Sequence, residues 1–405
     1  MTELIGRRIA ALRRAQGLSQ NELAQKMKRS ESWISQVERG KQNIDRFSML
    51  ERFAEVLNVR VDEIMGSDEA DADTHKLSTG MTDLRLAITG HPAPDSLSLT
   101  SQSASIPDME ALETEVEQAW ELAHSSQLSA LNELLSDLIP TLETASRAKT
   151  ENTDAIKLLL TRAYQAAAAA FSSQNEPDAA WIAADRAVMV AEQSGKTAEI
   201  AAALFRMARA FLSLKQLFQA KRSAQSGIEI LASTSERETH PNPEILSLRG
   251  ALSLVLAIIA ARQQDRKTAH YHIQNAHEIA AQLGTNRNDY NTEFGPLNVN
   301  IQAIAVATEL GDAGEALDIA KNLDVTNLSH ERQSRFHLDR ARALTQVRDT
   351  HHAINALLQA ETLSPELIYS HRHTKDIVRD LTQLTAPRPP DKLRDLAQRI
   401  AASRN

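Results

Sequence analysis

Apolar residues recur every three or four positions through most of this chain, which is the spacing of one helix face. In the first 66 residues five short apolar stripes follow one another, beginning with Ile5, Ile9 and Leu12. The same period returns at about Pro107 and continues to the C-terminus. No convincing strand pattern interrupts it. The chain is therefore predicted to be all-α, with a small five-helix bundle at its front.

Polar residues and glycines mark where the first helices begin and end. Ser19 followed by Glu22 is a capping box that predicts the start of the second helix, and Ser30 is placed to cap the third. Gly17 and Gly40 stand where the first and third helices are expected to stop. The second and third helices are therefore predicted to be short and separated by a tight turn.

The later part of the chain repeats a helical hairpin, most clearly in ALFRMARAFLSLKQLFQAKRSAQSGIEIL. Its spacing of small residues resembles the tetratricopeptide (TPR) repeat, in which paired helices approach closely. Corresponding anchors are Ala220, Ala269, Ala316 and Ala353, with Pro365 at the closing position. Their intervals of 49, 47 and 37 residues differ from the regular ~34 of the family. We predict a TPR-like helical-repeat solenoid with divergent repeats and lengthened loops; an irregular helical bundle is the alternative.

Composition divides the chain into three segments. After Ser67 the helical pattern gives way to SDEADADTHKLSTG and then to the Ser- and Pro-rich GHPAPDSLSLTSQSAS, with room for one short helix at Met81 to Ile88. We therefore predict a DNA-binding domain over residues 1–66, a partly disordered linker over 67–107 and a helical-repeat domain over 108–405.

The stretch LSQNELAQKMKRSESWISQVERGK, residues 18–41, resembles the helix-turn-helix of the Cro and lambda-repressor type, the XRE family. The resemblance extends from about Leu4 to Met65 and implies a lambda-repressor-like fold that binds an operator in double-stranded DNA. Its third helix enters the major groove, where exposed polar side chains meet base edges. One departure is Lys28, at a turn position where the family usually has glycine.

The resemblance assigns roles to individual residues. Gln20 is expected to bond a phosphate, Glu31, Ser32 and Gln36 to read bases, and Trp33 to lie beside them. Arg13 and Glu38 match an ion pair that ties the first helix to the third. The complete set expected at the DNA is Gln20, Lys28, Arg29, Ser30, Glu31, Ser32, Trp33, Gln36, Lys41, Asn43 and Arg46.

A DNA-binding head with a long TPR-like body resembles bacterial regulators whose repeats set dimer geometry and sense a ligand. One group, the RRNPP regulators, binds short secreted peptides. A closer resemblance is to long actinomycete regulators that share EFGPLNV, ELGDAGEALDIA, ERQSRFHLDRARA and AETLSPE, all present here from Glu293 onward. These resemblances imply a homodimer on a two-fold symmetric operator.

The repeat register also predicts a ligand groove. With Ala208 at the eighth position of its repeat, apolar side chains, three arginines and one asparagine point inward, a lining suited to an extended peptide or an acidic small molecule. The alternative is that these arginines pair with neighbouring carboxylates on a solvated surface. The predicted ligand-binding residues are Phe205, Arg209, Leu254, Ile258, Asn298, Ile301, Arg335, Leu338 and Arg342.

Charge and composition sharpen this hypothesis. Residues 1–66 carry 12 Lys/Arg and 9 Asp/Glu, a net charge of +3, whereas the remainder carries 33 and 44, a net charge of -11. Attraction for phosphate is therefore concentrated at the N-terminal end. The absence of cysteine fits a reducing cytoplasm, and neither a signal peptide nor a membrane span is expected. The longest apolar stretch, Gly250 to Ala261, is interpreted as a buried helix.

Enzymatic motifs are not found in the sequence. SGKT at Ser194 to Thr197 lacks the first glycine of a phosphate loop, and the histidine pairs lack the spacing of a helical zinc site. We therefore expect no catalytic residues, no metal and no cofactor. The leading hypothesis is a cytoplasmic transcriptional regulator whose body senses a peptide or small-molecule effector; the alternative is a TPR adaptor that holds a protein partner.

Overall fold

The computed structural model describes residues 2–27, 29–40, 47–57, 59, 80–89, 108–148, 151–235 and 242–402. Across this part of the chain the regular elements are helices, apart from one isolated antiparallel bridge between Arg287 and Phe294. The all-α prediction is confirmed. The chain forms two compact units, Met1–His75 and Lys76–Asn405.

The first unit contains four described helices, α1 (Thr2–Ala15), α2 (Gln20–Met27), α3 (Glu31–Glu38) and α4 (Phe47–Val56). The predicted capping box is present, because the Ser19 backbone N–H donates to Glu22 Oε2 at 2.7 Å and the Glu22 N–H donates to Ser19 Oγ at 3.2 Å. Ser30 Oγ accepts from the Trp33 N–H at 3.2 Å. The predicted fifth helix, near residues 59–64, lies outside the described residues except for Val59.

Apolar side chains from all four helices meet in one small core. Ile9 of α1, Leu23 of α2, Ile34 of α3 and Phe53 of α4 are fully buried. The helices are held at fixed angles by this shared core, since packed interiors resist deformation. The outer face of α3 therefore has a defined orientation on the unit.

The second unit is a series of paired helices. In chain order they are residues 80–89 (α5), α6 (Met109–His124), α7 (Leu128–Arg147), α8 (Thr153–Ser173), α9 (Pro177–Ser194), α10 (Thr197–Ser213), α11 (Leu217–Ser235), α12 (Pro243–Arg262), α13 (Arg266–Leu283), α14 (Pro296–Glu309), α15 (Ala313–Ala320), α16 (His330–Gln346), α17 (Thr350–Leu363), α18 (Pro365–Ser370), α19 (Arg372–Leu384) and α20 (Asp391–Ala402).

The same turn joins the two helices of each hairpin from α6/α7 to α16/α17. One residue takes the left-handed conformation, with φ between 59° and 85°, and the next N–H bonds the carbonyl five residues earlier. This common turn confirms the TPR-like repeat and adds two hairpins before those that the sequence revealed. The left-handed residues are Ser126, Asn175, Lys215, Gln264, Gly311 and Arg348.

Small residues bring the paired helices close together. The predicted anchors Ala220, Ala269, Ala316 and Ala353 are fully buried. The neighbouring helix also leaves little room at Gly227, where a Cβ would lie 3.0 Å from the Leu252 side chain. Alanine and glycine at these positions therefore set the helix spacing of the repeat, as the sequence pattern predicted.

The predicted linker contains part of the second unit. Leu84 and Ile88 of α5 are fully buried in the same apolar cluster as α6 to α9. The Arg85 side chain also pairs with Glu176 at the start of α9. The compact body thus begins at Lys76, whereas the sequence analysis placed residues 67–107 in a linker.

One helix in the described residues, Pro243–Arg262, is long and apolar enough to cross a membrane, and most of it is buried inside the second unit. It contains the stretch Gly250 to Ala261. Its partners are the neighbouring hairpins, whose apolar side chains share its cluster. This location agrees with the interpretation of that stretch as a buried helix.

The last hairpins of the body fold back onto the first. The Glu366 carboxylate, at the start of α18, accepts from the backbone N–H groups of Leu128 and Ser129 at 2.9 and 3.2 Å. The Ser370 hydroxyl donates to the Ser173 carbonyl at 2.9 Å. A carboxylate at the N-terminus of α7 is favourable because it satisfies free N–H groups and the helix dipole. The repeats are therefore closed into a ring around their concave face.

Glu366→Gln is expected to loosen this closure by about 1 kcal/mol, because the amide loses the charge that complements the α7 dipole. Hydrogen exchange at the Leu128 and Ser129 amides should become roughly fivefold faster. The matched control is Glu192→Gln on the exposed end of α9. Equal protection in wild type and Glu366→Gln would show that other contacts hold the ring closed.

Candidate DNA-binding face and candidate effector cavity

A buried ion pair fixes α3 to α1 in the first unit. Arg13 donates from Nε to Glu38 Oε1 at 2.6 Å and from Nη2 to Glu38 Oε2 at 3.0 Å. Its Nη1 donates to the Leu18 carbonyl at 2.6 Å, just before α2. Both charged side chains are almost fully buried. The two-point geometry therefore sets the position of α3 against α1 and α2.

Gln20 belongs to this network. Its Nε2 donates to Glu38 Oε2 at 2.7 Å, so the side chain expected to bond a phosphate is used within the protein. Burial alone would raise the pKa of Glu38, but the hydrogen bonds from Arg13 and Gln20 bring it below its ordinary value. The bond to Glu38 correspondingly raises the pKa of Arg13. The pair therefore remains ionised at neutral pH.

The outer face of α3 carries the polar residues expected to read bases. Glu31, Ser32 and Gln36 are exposed. None of them is needed for the core, since the inward face is formed by Ile34 and Val37. A short helix that presents uncommitted hydrogen-bonding side chains has the form required to enter the major groove.

Trp33 lies at the edge of that face. Its ring stacks on Phe53 with centroids 6.0 Å apart and planes at 7°. The Arg29 guanidinium lies 5.3 Å from the Trp33 ring centroid. One face of the indole is thus occupied by the core, and Arg29 is placed beside the recognition helix. Ser30 is exposed and serves as the helix cap. Lys28, Lys41, Asn43 and Arg46 lie outside the residues whose side chains the structure describes.

In the second unit the closed repeats surround a cavity of about 490 Å³, within the usual size of small-molecule sites. Its walls come from α8, α10, α11, α12, α14, α16 and the α18–α19 segment. The lining combines apolar side chains with an unusual number of charged ones. The charged and histidine residues are Arg209, Lys215, Arg262, Glu309, Arg335, Asp339, Arg342, His371, His373 and Asp376.

A smaller cavity of about 40 Å³ adjoins Arg209 and Arg335 and is bordered by Trp120 and His124 of α6. Here α6 and α8, from the start of the body, face α16, from its last hairpin. The two ends of the ring therefore share a polar interior. A third space of about 40 Å³, lined by Phe205, Leu254 and Asn298 among others, also reaches Arg209.

Buried arginines connect two of the sequence motifs. Arg332, only 6% exposed, donates from Nε to Glu293 Oε2 at 2.9 Å and from Nη2 to the Thr292 carbonyl at 3.3 Å. Arg206 donates from Nη2 to the Asn291 carbonyl at 2.6 Å. The segment that contains EFGPLNV is therefore held against the start of ERQSRFHLDRARA by charged hydrogen bonds.

The same segment is anchored by an apolar contact. Phe294 is fully buried, and its ring occupies the space above Gly250, where a Cβ would lie 2.1 Å from Phe294 Cζ. A side chain at position 250 would therefore displace the ring. Glycine here is required by close packing rather than by backbone conformation.

The structure gathers eight of the nine predicted ligand-binding residues around these cavities. Arg209, Ile258, Arg335, Leu338 and Arg342 line the large cavity. Phe205, Leu254 and Asn298 line the third space. Ile301 instead lies in an apolar cluster with Ile304 and Phe336. The residues of α14 that line the cavities are Asn298, Gln302, Ala305 and Glu309, so Ile301 lies one residue off this face.

Two of the three arginines predicted to bind ligand pair with neighbouring carboxylates, as the alternative interpretation proposed. Arg342 Nη1 lies 2.6 Å from Glu309 Oε2, and Arg335 pairs with Glu331 one helical turn away. Arg209 has no ion-pair partner among the described residues. Both paired arginines are partly exposed and line the large cavity.

Several cavity residues were not identified from sequence. The most important are Arg206, Arg332, Glu331, Asp339 and His371. Three of them lie in ERQSRFHLDRARA, and Arg332 bonds the residue that opens EFGPLNV. These motifs therefore mark the cavity residues that were missed. The repeat register predicts only positions on the expected concave face, and these residues are not among them. In the described part of the chain, no three His, Asp or Glu side chains form a metal-ligand set.

Burial is the main cause of the pKa shifts of the cavity residues. It raises the pKa of Asp339 to about 6, although Arg342 and Arg335 act in the opposite direction. Burial and the charge of Arg342 lower the pKa of His373 to about 4. Burial and the neighbouring Arg335 and Arg332 lower the pKa of Arg209 well below its ordinary value. The cavity therefore strongly disfavours uncompensated charge.

Comparisons with known proteins identify a family only for the first unit. Residues 4–64 match the family described as "Helix-turn-helix domain", which confirms the resemblance inferred from sequence. No curated protein matches the chain. Among solved structures the chain is similar to Bacillus thuringiensis PlcR in complex with the peptide PapR7 and DNA, at 11% identity and a TM-score of 0.29, over 70% of this chain and 96% of that one. A TM-score this low supports no conclusion about the body.

Glu38→Gln is expected to destabilise the first unit by about 2 kcal/mol, because it leaves Arg13 buried without its counter-charge. Since the folded-state pKa of Glu38 is lowered, the stabilisation is present above its ordinary value of 4.5 and is lost as the pH falls below it. Hydrogen exchange in α1 and α3 should be roughly thirtyfold faster at pH 7, with a smaller difference at pH 3.5. Glu31→Gln, at an exposed position on α3, should leave exchange unchanged. Faster exchange in both variants would contradict a specific role for the buried pair.

Asp339→Asn is expected to stabilise the body at pH 7.5. Because the folded-state pKa of Asp339 is raised to about 6, wild-type stability declines as the pH rises from the ordinary carboxyl range through 6. The groups that set this pKa are Arg342, Arg335, Glu309 and Arg262. The variant should melt about 2 °C higher than wild type at pH 7.5 and at the same temperature near pH 3.5.

The control for this experiment is Asp318→Asn, at an exposed position on α15, which should show no such pH dependence. A lower melting temperature for Asp339→Asn at pH 7.5 would instead mean that the ionised carboxylate stabilises the cavity.

Proposed function

We propose that this chain, whose residues 4–64 form a helix-turn-helix domain, is a cytoplasmic transcriptional regulator that recognises a specific DNA operator through α3. The observation that carries this proposal is the exposed face of Glu31, Ser32 and Gln36, held in position by the buried Arg13–Glu38 pair. A rigidly oriented helix with free polar side chains suits direct reading of base edges in the major groove.

The proposed operator is two-fold symmetric and is bound by a homodimer. One recognition helix contacts only a few base pairs, so a single unit provides limited affinity and specificity. A dimer aligns two such helices with two half-sites and doubles the number of phosphate contacts. The basic balance of residues 1–66 is consistent with this use.

The body is proposed to bind an effector in its 490 Å³ cavity. An effector that binds one arrangement of the repeats more tightly than another stabilises that arrangement. This difference in effector affinity sets the size of any coupling to the DNA-binding unit. A peptide or a small molecule is compatible with the mixed apolar and charged lining.

The competing function is an adaptor whose repeats hold a protein partner. An adaptor requires an open, solvated concave face, whereas here α18 and the N-terminus of α7 meet and close the repeats. A protein segment has to open this contact to reach the concave face. The closed cavity therefore favours an effector-sensing role.

Gln36→Ala tests the DNA-binding proposal. The variant should lose preference at one base pair of each half-site by roughly tenfold, because a bidentate glutamine–adenine contact contributes about 1–3 kcal/mol of discrimination. Non-specific binding, which depends on phosphate contacts, should remain. Selection from a randomised operator library, followed by fluorescence anisotropy on single-base variants, measures both quantities.

Gln25→Ala is the matched control, since Gln25 is an exposed glutamine on α2. It should keep the wild-type base preference. If Gln36→Ala selects the same sequence as wild type with the same discrimination, Gln36 takes no part in base reading. If wild type selects no sequence at all, the proposed regulator function is wrong.

A further inference from the structure

One arginine of the cavity differs from its neighbours because its guanidinium has neither an ion pair nor a hydrogen-bond acceptor among the described residues. Arg209 of α10 borders the large cavity and both smaller spaces. Its guanidinium lies 5.8 Å from the Phe205 ring centroid, and the described residues provide it with no ion pair. A charged group in such a position is costly unless something bound there pairs with it.

The neighbouring arginines already have acceptors. Arg206 bonds the Asn291 carbonyl, Arg332 bonds Glu293 and the Thr292 carbonyl, and Arg335 bonds Glu331. No bond from these acceptors to Arg209 is formed. The group around Arg209 therefore contains four guanidinium groups, counting Arg209, and only two carboxylates, those of Glu293 and Glu331.

A surplus of positive charge inside a protein is itself a signal of function, because folding stability alone selects against it. Burial and the charges of Arg335 and Arg332 disfavour the charged form of Arg209, and the nearby Glu331 offsets them only in part. Two polar atoms nearby, Arg206 Nε and Asn298 Oδ1, are buried without a hydrogen-bond partner among the described residues. These atoms are on residues that line the spaces adjoining Arg209.

The opposite wall supplies a further donor. Nδ1 of His371 accepts from the backbone N–H of His373 at 3.3 Å, which assigns the ring proton of the neutral imidazole to Nε2. Burial and the nearby Arg335 keep the His371 pKa well below its ordinary value, so the ring is neutral and donates at Nε2. Ile258 and Leu338 provide apolar surface in the same cavity.

We propose that the effector is a small organic anion and that Arg209 binds its carboxylate or phosphate group. This inference rests on the proposed effector-binding function of the cavity. The planar guanidinium pairs with either group through two hydrogen bonds. His371 donates a hydrogen bond to the same ligand, and the side chains of Ile258 and Leu338 contact its apolar part.

A small molecule is favoured over a peptide by the closure of the repeats. The contact of Glu366 with α7 and that of Ser370 with Ser173 restrict the concave face to a compartment. A volume of about 490 Å³ is in the size range of small-molecule sites, and the contact between α18 and α7 narrows the path for an extended peptide. A peptide with a free C-terminal carboxylate shares the same anion chemistry and is therefore one arm of the test.

The first test requires no ligand. The ligand-free full-length protein, after exhaustive dialysis into a chloride buffer of low ionic strength, is compared with Arg209→Gln by thermal unfolding. Removing a partly buried charge that has no ion-pair partner should raise the melting temperature of the second unit by about 2 °C or more. Arg222→Gln, at an exposed position on α11, is the matched control and should leave it unchanged. A lower melting temperature for Arg209→Gln would identify Arg209 as a structural residue and overturn the proposal.

The second test measures binding directly by isothermal titration calorimetry at constant ionic strength. The probes are inorganic phosphate, citrate, and a short apolar peptide with either a free or an amidated C-terminus. We expect wild type to bind phosphate or citrate and Arg209→Gln to bind at least tenfold more weakly, because charged hydrogen bonds to the anion are lost. Arg209→Lys, which keeps the charge but not the planar fork, should bind with intermediate affinity.

Each outcome distinguishes the sources of the anion. Binding of phosphate or citrate that depends on Arg209 supports the small-anion proposal. Binding of only the free-acid peptide would overturn it in favour of a peptide effector. Equal binding by wild type and Arg209→Gln, or no binding of any probe by wild type, would also overturn it. Specific DNA binding by the same preparations is measured in parallel, so that failure of the anion site is separated from failure of the proposed regulator function.

Discussion

The architecture of the body depends on the contact that closes its repeats. The Glu366 carboxylate caps the N-terminus of α7, where it accepts hydrogen bonds from two backbone N–H groups. Without this contact the paired helices form an open solenoid, and the charged concave face is exposed to water. With it, the first and last hairpins share one interior. The low-dielectric cavity, and the electrostatic behaviour of every group inside it, follow from that closure.

Within the ring, charge is organised by the contact between the segment around Glu293 and the first turn of α16. Glu293 and Glu331 form ion pairs with Arg332 and Arg335, whereas Arg209 forms none with the described residues. The first unit contains a buried arginine that does form an ion pair. There the Arg13–Glu38 pair is complete, buried and structural. The same residue type thus stabilises one unit and, in our proposal, binds a ligand in the other.

Sequence patterns predicted the structural features that depend on interactions between residues close together in the chain. Alanine anchors such as Ala220 and the capping residues Ser19 and Ser30 have the predicted places because spacing and capping act within a few residues. The closure at Glu366 joins positions more than two hundred residues apart, and no local pattern encodes it. Ile301 lies in the core because it is one residue from Gln302 on the cavity-lining face of α14, and neighbouring positions of a helix are about 100° apart. The bond from Gln20 to Glu38 was not predicted, because family resemblance assigned Gln20 only to a DNA phosphate.

The central claim, that the body is a closed ring around a cavity, can be measured directly in solution. Because the chain has no cysteine, spin labels attach only at introduced positions, and Ala130→Cys on α7 with Thr362→Cys on α17 places two labels at exposed sites on either side of the closure. Pulsed dipolar spectroscopy of the full chain should give a single, narrow and short distance distribution. A broad distribution that extends to long distances would show an open solenoid and contradict the enclosed cavity.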